Sequence, residues 1–595
     1  MARAVALLVA LAGALLWAIL AIIPPAARGS DAPARAFSSA RAMRDVSAIG
    51  RVPHPTGSAE NERVSAYLLL RMHAMGAAVD VQQMPLGAAS LRRLGKWSGR
   101  TERGVIARNL IGVFPGRDRS LPPLLLMAHH DSVWGSPGAA DDAMGVAAAL
   151  EVARAIGERG PPERDLVLLF TDGEELGLDG AEYFFARHPL ARRVGAIINM
   201  EARGAGGRAN MFETGPGNGA MMRLYAEHVR PATNSLSVLV YNNMPNYTDY
   251  TVAKRRGIPG YNLAVLDRGS AYHSPSALPE VVDPASLQDM GAQALALSSA
   301  LLYARDLPAR TDDASFSDLM GRATIVYPAA GGWLILLGAA LLIGFALTDG
   351  YDLGVAALLP FVARDDEERR LITLAILLHA ALLLLAFNAL SGSGGANYYD
   401  RLAALPRLEA MAAATLAALL CLLPAVRRTD PHPLALGPGM VLMWVGLLTG
   451  GPIAIVPVAL LAMASAWFLP SDRTAQAEGA ILLLLLAGIL VQATLPTAAP
   501  LLHWPLLLAA AAMAARAWLG ERAALPAMAL CAAIGVGHLL AQAHFLFLGI
   551  GAELSVVLVA PLFAALPLLL MLWPAKATRL GAALLLGVAL MLALW

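Results

Sequence analysis

From about Tyr327 to Trp595 the chain is a succession of apolar runs broken by short loops, whereas Ser30 to Asp318 is a mixed sequence with charges, turns and periodic segments. Uncharged runs of about twenty residues match the roughly 30 Å hydrocarbon core of a bilayer. The contrast therefore implies two parts that fold in different solvents. At 595 residues the chain is too long for one domain, and with 57% hydrophobic residues it is too apolar for an ordinary water-soluble protein. The expected division is an amino-terminal anchor over 1–29, an extracytoplasmic domain over 30–318 and an all-α polytopic membrane domain of about ten helices over 327–595. A net charge of +1 gives no reason to expect nucleic acid. Both cysteines, Cys421 and Cys531, fall in apolar runs, so the mixed half needs no disulfide.

The run Ala4–Ile23 is long for a signal peptide and is expected to remain as an anchor, cleavage near Ala32–Ala36 being the alternative. Further spans are expected at 328–347, 371–390, 408–426, 434–449, 451–469, 478–495, 501–519, 524–548, 553–573 and 579–595. The stretch 434–469 is too long for one crossing, and Gly450, Gly451 and Pro452 at its middle suggest a hairpin of two short spans. Arg364, Arg369 and Arg370, then Arg427 and Arg428, Arg473, Arg516 and Arg522, and Lys576 and Arg579 occupy alternate loops, with Arg401 and Arg407 as exceptions. By the positive-inside rule the amino terminus is cytoplasmic and the mixed half is not. His379, Asn388, His503, His538, Gln542 and His544 lie within spans. Without a repeated charged relay they read as packed polar groups rather than as a transport path.

In the mixed half, short apolar runs alternate with helical patterns. Strands are expected at Val105–Val113, Leu124–Ala128, Leu166–Thr171, Ala196–Met200, Ser237–Tyr241 and Tyr261–Val265. Helices are expected at Glu60–Met75, Ala143–Gly157, Gly180–Arg187, Gly219–Val229, Tyr247–Arg256 and Pro284–Tyr303. This alternation predicts an α/β fold, a mostly parallel mixed sheet flanked by helices, with working residues at the carboxyl ends of the strands.

Polar clusters stand at those ends. Ala128-His129-His130-Asp131-Ser132 follows one apolar run, Thr171-Asp172-Gly173-Glu174-Glu175 a second, and Asn199-Met200-Glu201 a third. Gly138–Gly145, with Asp141 and Asp142, precedes a helix, and Tyr272-His273-Ser274 lies in a loop. Taken singly, a histidine ending a strand is usually structural and an aspartate before a helix is usually a cap. Together they assemble imidazole and carboxylate donors without thiolate, a set that suits zinc, and an aspartate can bridge two ions. Adjacent glutamates leave one free to act as a general base.

These five segments resemble the co-catalytic zinc aminopeptidases, in order and over about residues 40–305. The plan of anchor, hydrolase domain and many spans resembles the membrane-anchored branch of that family. The resemblance implies the zinc aminopeptidase fold, two zinc ions per chain and a peptide substrate met at a lipid bilayer. It implies that His129 and Glu201 hold one ion, Glu175 and His273 the other, and Asp141 bridges them. Glu174 would be the general base, Asp131 would orient His129, and Tyr272 would donate a hydrogen bond to the developing oxyanion. Asp142 would be structural or cap its helix. Many secreted members carry Asp where this chain has Glu201. The same fold hosts carboxypeptidases, glutaminyl cyclases and non-catalytic receptors, which are the alternatives, as is a transport-coupled protein. Gly204–Asn218 and Asn242–Asn246 are expected to line the substrate pocket. Abundant alanine and a preference for arginine over lysine suggest a bacterial inner membrane with a periplasmic catalytic domain, an organelle membrane with a lumenal domain being the alternative.

Overall fold

The computed structural model describes residues 2–230, 232–244, 246–347, 473–550 and 556–573. The expected spans at 371–390, 408–426, 434–449, 451–469 and 579–595 lie outside the described residues, as do His379, Asn388, Cys421 and most of the loop arginines. The chain divides into two compact units, Ala21–Ala329 and Met1–Leu20 with Ala330–Trp595.

After helix α1 (Ala2–Ile22), the larger unit runs through α2 (Ser39–Ile49), α3 (Ala59–Ala74), β1 (Ala78–Pro85), α4 (Ala88–Ser98), β2 (Ile106–Phe114) and β3 (Leu124–His129). It continues with α5 (Ala143–Gly157), β4 (Leu166–Thr171), the single turn α6 (Glu174–Gly177), α7 (Asp179–Arg187), β5 (Ala196–Ala202) and β6 (Gly206–Thr214). Then come α8 (Gly219–His228), α9 (Ser235–Asn243), α10 (Asp249–Arg255), β7 (Gly260–Asp267), α11 (Pro284–Leu302) and a hairpin of β8 (Ala314–Leu319) and β9 (Ala323–Pro328).

Seven strands form one sheet in the order β1-β2-β4-β3-β5-β7-β6. The four central strands pair in parallel, while β1, β2 and β6 join antiparallel at the two sides. Every residue of β3 and β4 is buried, which explains why both read as unbroken apolar runs rather than as alternating ones. Their alternate residues serve opposite faces. Leu124, Leu126, Leu166 and Leu168 join the core formed with α2, α5 and α11, whereas Leu125, Met127, Val167 and Leu169 join the one formed with α7 and α10.

The order of these strands positions the chemistry. The chain leaves β3 for β4 on one side and then places β5 on the other. The carboxyl end of β3 is thus a topological switch point, where flanking loops diverge and leave a crevice. His129 ends β3 in register with Thr171 of β4, and β5 runs past Asn199, the partner of Met127, to reach Glu201.

Two sequence expectations fail here. Ser237–Tyr241 is helix, within α9, rather than strand. Asn234 caps it, its side chain accepting the Ser237 N–H at 2.7 Å, and a local cap outweighs the weak β preference of an alternating Ser/Val/Leu run. The place beside β7 belongs to β6, which lies within the glycine-rich stretch expected to be a loop. Its pairing with β7 carries register shifts between Gly206 and Ala209 and between Met211 and Glu213.

In the other unit, α12 (Gly332–Leu347) and helices at Arg473–Thr494, Pro500–Leu519, Leu525–Ile550 and Val556–Leu570 correspond to expected spans. Among the described residues, four stretches are long and apolar enough to cross a membrane: Ala2–Ile22, Ala329–Ala346, Pro500–Leu519 and Leu525–Gly549. His503, His538 and Gln542 are buried within this unit.

The packing of α11 yields a stability prediction. A methyl group on Gly291 would lie 2.0 Å from Cζ of the buried Phe37 ring. Gly291→Ala should cost about 1–3 kcal/mol of folding stability by overpacking. Adding Phe37→Leu should recover part of the loss, with scanning calorimetry as the measurement.

Candidate metal centre

Local chain geometry brings each candidate to the switch point. Asp142 caps α5, accepting the Gly145 N–H at 3.0 Å, so Asp141 is held just ahead of the helix. Gly173, at φ 79°, turns the chain out of β4 and starts the one-turn helix that carries Glu174 and Glu175. His273 has a φ of 52°, a left-handed conformation that β-carbon-bearing residues seldom adopt, and Tyr272 stacks on it with ring centroids 3.7 Å apart.

The side chains from these separate segments converge. His129 Nε2 lies 3.1 Å from Asp141 Oδ1 and 3.7 Å from Glu201 Oε2. His273 Nε2 lies 3.0 Å from Asp141 Oδ2 and 2.9 Å from Glu175 Oε1. Asp141 therefore presents one oxygen to each imidazole. Two donor triplets, His129–Asp141–Glu201 and Asp141–Glu175–His273, each have ligand atoms within 4.8 Å of one another, and His129, Glu174 and Glu175 form a third such group. His129, Asp141, Glu175 and Glu201 are buried, whereas Glu174 is partly exposed beside them.

These donors fit a metal. Although 2.9 Å apart, His273 Nε2 and Glu175 Oε1 are not aligned as a hydrogen bond, and both are buried without one. Carboxylates also outnumber imidazoles in a volume shielded from water, a balance that calls for added positive charge. The strain shows in the acidities. Burial, reinforced by Asp141 and Asp249, pushes the Glu201 carboxyl up to about 8. Burial raises Glu174 well above the usual carboxylate range, and Glu201 and Glu175 add to it. Burial alone would lower His273, but Glu175 and Asp141 outweigh it and hold the imidazole up to about 10. Burial likewise opposes ionisation of Asp141, yet His129 and His273 keep it below the ordinary carboxylate value.

Around the donors lies a shell that sequence reading had largely missed. The His129 ring N–H at Nδ1 donates to the carbonyl oxygen of Asp131 at 3.0 Å, while the Asp131 carboxylate is 3.6 Å away. That bond turns the Nε2 lone pair toward Asp141 and Glu201. The Asp131 carboxylate accepts the backbone N–H groups of Glu174 and Glu175 at 3.2 and 3.4 Å, so it anchors the turn bearing both glutamates. The Thr56 hydroxyl reaches Asp172 at 2.8 Å and Asp131 at 3.3 Å, and Asp172 also accepts the Arg108 N–H at 2.9 Å. His130 is a packed histidine, bonded to the Thr171 carbonyl and Ser65. Asp249, at the start of α10, accepts the Thr171 hydroxyl and is fully buried. A single threonine or aspartate far along the chain carries no spacing signal, so only the fold brings Thr56 and Asp249 here.

Residues 109–298, which span every one of these donors, match the family model described as Peptidase family M28. That stretch is similar to peptidase family M28. Endoplasmic reticulum metallopeptidase 1 of Mus musculus is 32% identical over 318 residues, covering 50% of this chain and 35% of that protein. The vacuolar membrane protease of Eremothecium gossypii is 32% identical over 303 residues, covering 49% of this chain and 30% of that protein. The matched stretch thus spans about a third of the length of these relatives. Among solved structures, the aminopeptidase from Aneurinibacillus sp. strain AM-1 is similar at a TM-score of 0.36 and 14% identity, covering 47% of this chain and 98% of that one. This similarity makes zinc the implied metal, in agreement with the nitrogen and oxygen donors.

The support of this site extends beyond the matched residues, because Thr56 lies upstream of them. Thr56→Val keeps the shape and removes the hydroxyl donor to Asp172. It should cost about 1–3 kcal/mol, because Asp172, still reached by Asn61 and by the Arg108 N–H, loses its shortest side-chain hydrogen bond. Denaturant unfolding of the purified chain measures it.

Proposed function

We propose that this chain is a membrane-embedded, two-zinc metallo-exopeptidase that releases single residues from the amino terminus of peptides. The observation that carries the reading is the sharing of Asp141, one oxygen facing His129 and the other facing His273. It divides the donors into two triplets that both contain Asp141, an arrangement that would suit a pair of zinc ions. On this reading His129 and Glu201 would hold one ion, Glu175 and His273 the other, and Asp141 both.

Zinc bound there supplies Lewis acidity, polarising the scissile carbonyl and acidifying the attacking water. Glu174, not needed as a ligand and the most open of the acidic residues, takes the proton from that water and returns it to the leaving amine. Its raised affinity for a proton, set by burial and by Glu201 and Glu175, suits both transfers. Asp131 positions Glu174 and Glu175 through their backbone N–H groups. Burial keeps the Tyr272 hydroxyl protonated, so it can donate to the oxyanion as the carbonyl becomes tetrahedral. Glu174 and Glu201 are the acidic groups available to a substrate ammonium.

The domain boundaries support the same picture, an anchor, a catalytic domain and a helical membrane domain. The positive-inside pattern puts the catalytic domain away from the cytoplasm. That side is the lumen in an organelle, the kind of compartment for which the relatives are named, and the periplasm in a bacterium, toward which composition leans.

Two measurements test this on the full chain in detergent. Metal analysis should find two zincs, and chelation should abolish hydrolysis of amino-acid anilides until zinc is restored. Glu174→Gln should keep both zincs yet lower kcat by about 100- to 10,000-fold. Acetylating the substrate amino terminus should stop cleavage. Cleavage that instead requires a free carboxyl terminus would make the enzyme a carboxypeptidase, and zinc binding with no cleavage of either kind would favour a receptor.

A further inference from the structure

Glu201 has one more rotatable bond than an aspartate would, and that bond must be held still for its carboxylate to keep its place. Behind it runs a buried line of polar side chains across three adjacent strands. Asn199 Nδ2 donates to Glu201 Oε1 at 3.0 Å and to Asn262 Oδ1 at 2.9 Å. Asn262 Nδ2 donates to Glu213 Oε2 and to the Thr248 hydroxyl, both at 2.8 Å. Glu213 Oε1 pairs with the Lys254 ammonium, which also donates to Asn242 at 2.8 Å. Asn199, Asn262 and Glu213 are all fully buried.

The direction of this line is dictated by its charged end. A carboxylate paired with an ammonium is an acceptor only, so Asn262 must turn its NH2 toward Glu213. Its oxygen then faces Asn199, which must present its own NH2 there and to Glu201. The reverse orientation would set the Asn199 oxygen against both Glu201 Oε1 and Asn262 Oδ1, two acceptors. In the orientation observed, Asn199 Oδ1 is the atom left without a partner.

We infer that Asn199, its amide aligned through Asn262 by the Glu213–Lys254 pair, is a positioning residue for Glu201. It occupies Oε1 with an N–H and leaves Oε2, the oxygen nearer His129, as the single metal-facing donor. A remote ion pair thereby tunes one of the two zinc sites and not the other. The donors Glu175 and His273 have no link to this line among the described hydrogen bonds. The inference rests on the two-zinc reading and deepens it.

Stepwise zinc affinities of the full chain, measured by chelator competition, test it. Glu201→Ala identifies the step that belongs to the Glu201 site. Asn199→Ala should weaken that step by about 10- to 100-fold and leave the other within about twofold. In a Glu201→Ala background the same change should do nothing more. Lys254→Met, distant and near the surface, should weaken the same step in the same direction but less. Should Asn199→Ala fail to fold, as judged by its melting curve, Asn262→Ala and Lys254→Met are read on that step instead. Equal weakening of both steps would mean general damage and overturn the inference, as would no weakening of either. Wild-type protein that binds fewer than two zincs would instead overturn the two-zinc reading itself.

Discussion

Carboxylates crowded together out of water repel one another and lose hydration, and a fold that buries them must compensate both costs. At the mouth of this sheet Asp141, Glu175 and Glu201 are buried around two imidazoles, with Glu174 beside them. The arrangement answers that constraint in three ways. Imidazoles are interleaved with the acids, so that Asp141 touches both histidines. Backbone and side-chain N–H groups are turned on the carboxylates at hand, as Asn199 is on Glu201 and the Glu174 and Glu175 amides are on Asp131. The remainder is left for a cation, which the donor set fits. Much of the surrounding architecture, from the Gly173 turn to the Asp142 cap, holds these groups at distances where the compensation works.

The switch point makes the convergence possible. Parallel strands that end side by side bring residues from distant parts of the chain to one line, and the loops diverging from β3 leave the space that the donors fill. Because β3 and β4 are buried on both faces, their ends are held by the core on either side of the sheet. His129, Glu175 and Glu201 are therefore carried by regular elements, whereas Asp141, just ahead of α5, and His273 come from irregular chain. The His273 loop is also where a non-glycine residue holds a positive φ, the sort of local strain that functional positions tolerate.

The strands that were legible in sequence were those buried on both faces, because unbroken apolar runs mark them. The edge strands β1 and β6 were not: edge positions tolerate glycine and polar residues, and β6 is further disguised by its register shifts. The run Ser237–Tyr241 misled for a related reason. Alternation is a weak guide when a neighbouring side chain such as Asn234 can cap a helix. Chemistry-bearing residues were easier to see than their supports, since donors cluster at strand ends while Thr56, Asn262 and Asp249 stand alone in the sequence.

Sequence by itself pointed to the candidate donors, to His129, Glu175 and Glu201 at or just past the ends of apolar runs, and to the contrast between a mixed half and a string of apolar runs. Composition and period encode these, and no knowledge of folding is needed to read them. Tertiary structure alone shows one Asp141 oxygen 3.1 Å from His129 and the other 3.0 Å from His273, the Asp131 carboxylate closer to the glutamate turn than to the His129 ring, and Lys254 and Glu201 at two ends of one polar line. Those facts depend on the order and register of the strands. A hydrogen bond requires its partners within about 3 Å, and sequence separations as large as that between Thr56 and Asp172 carry no trace of such a distance.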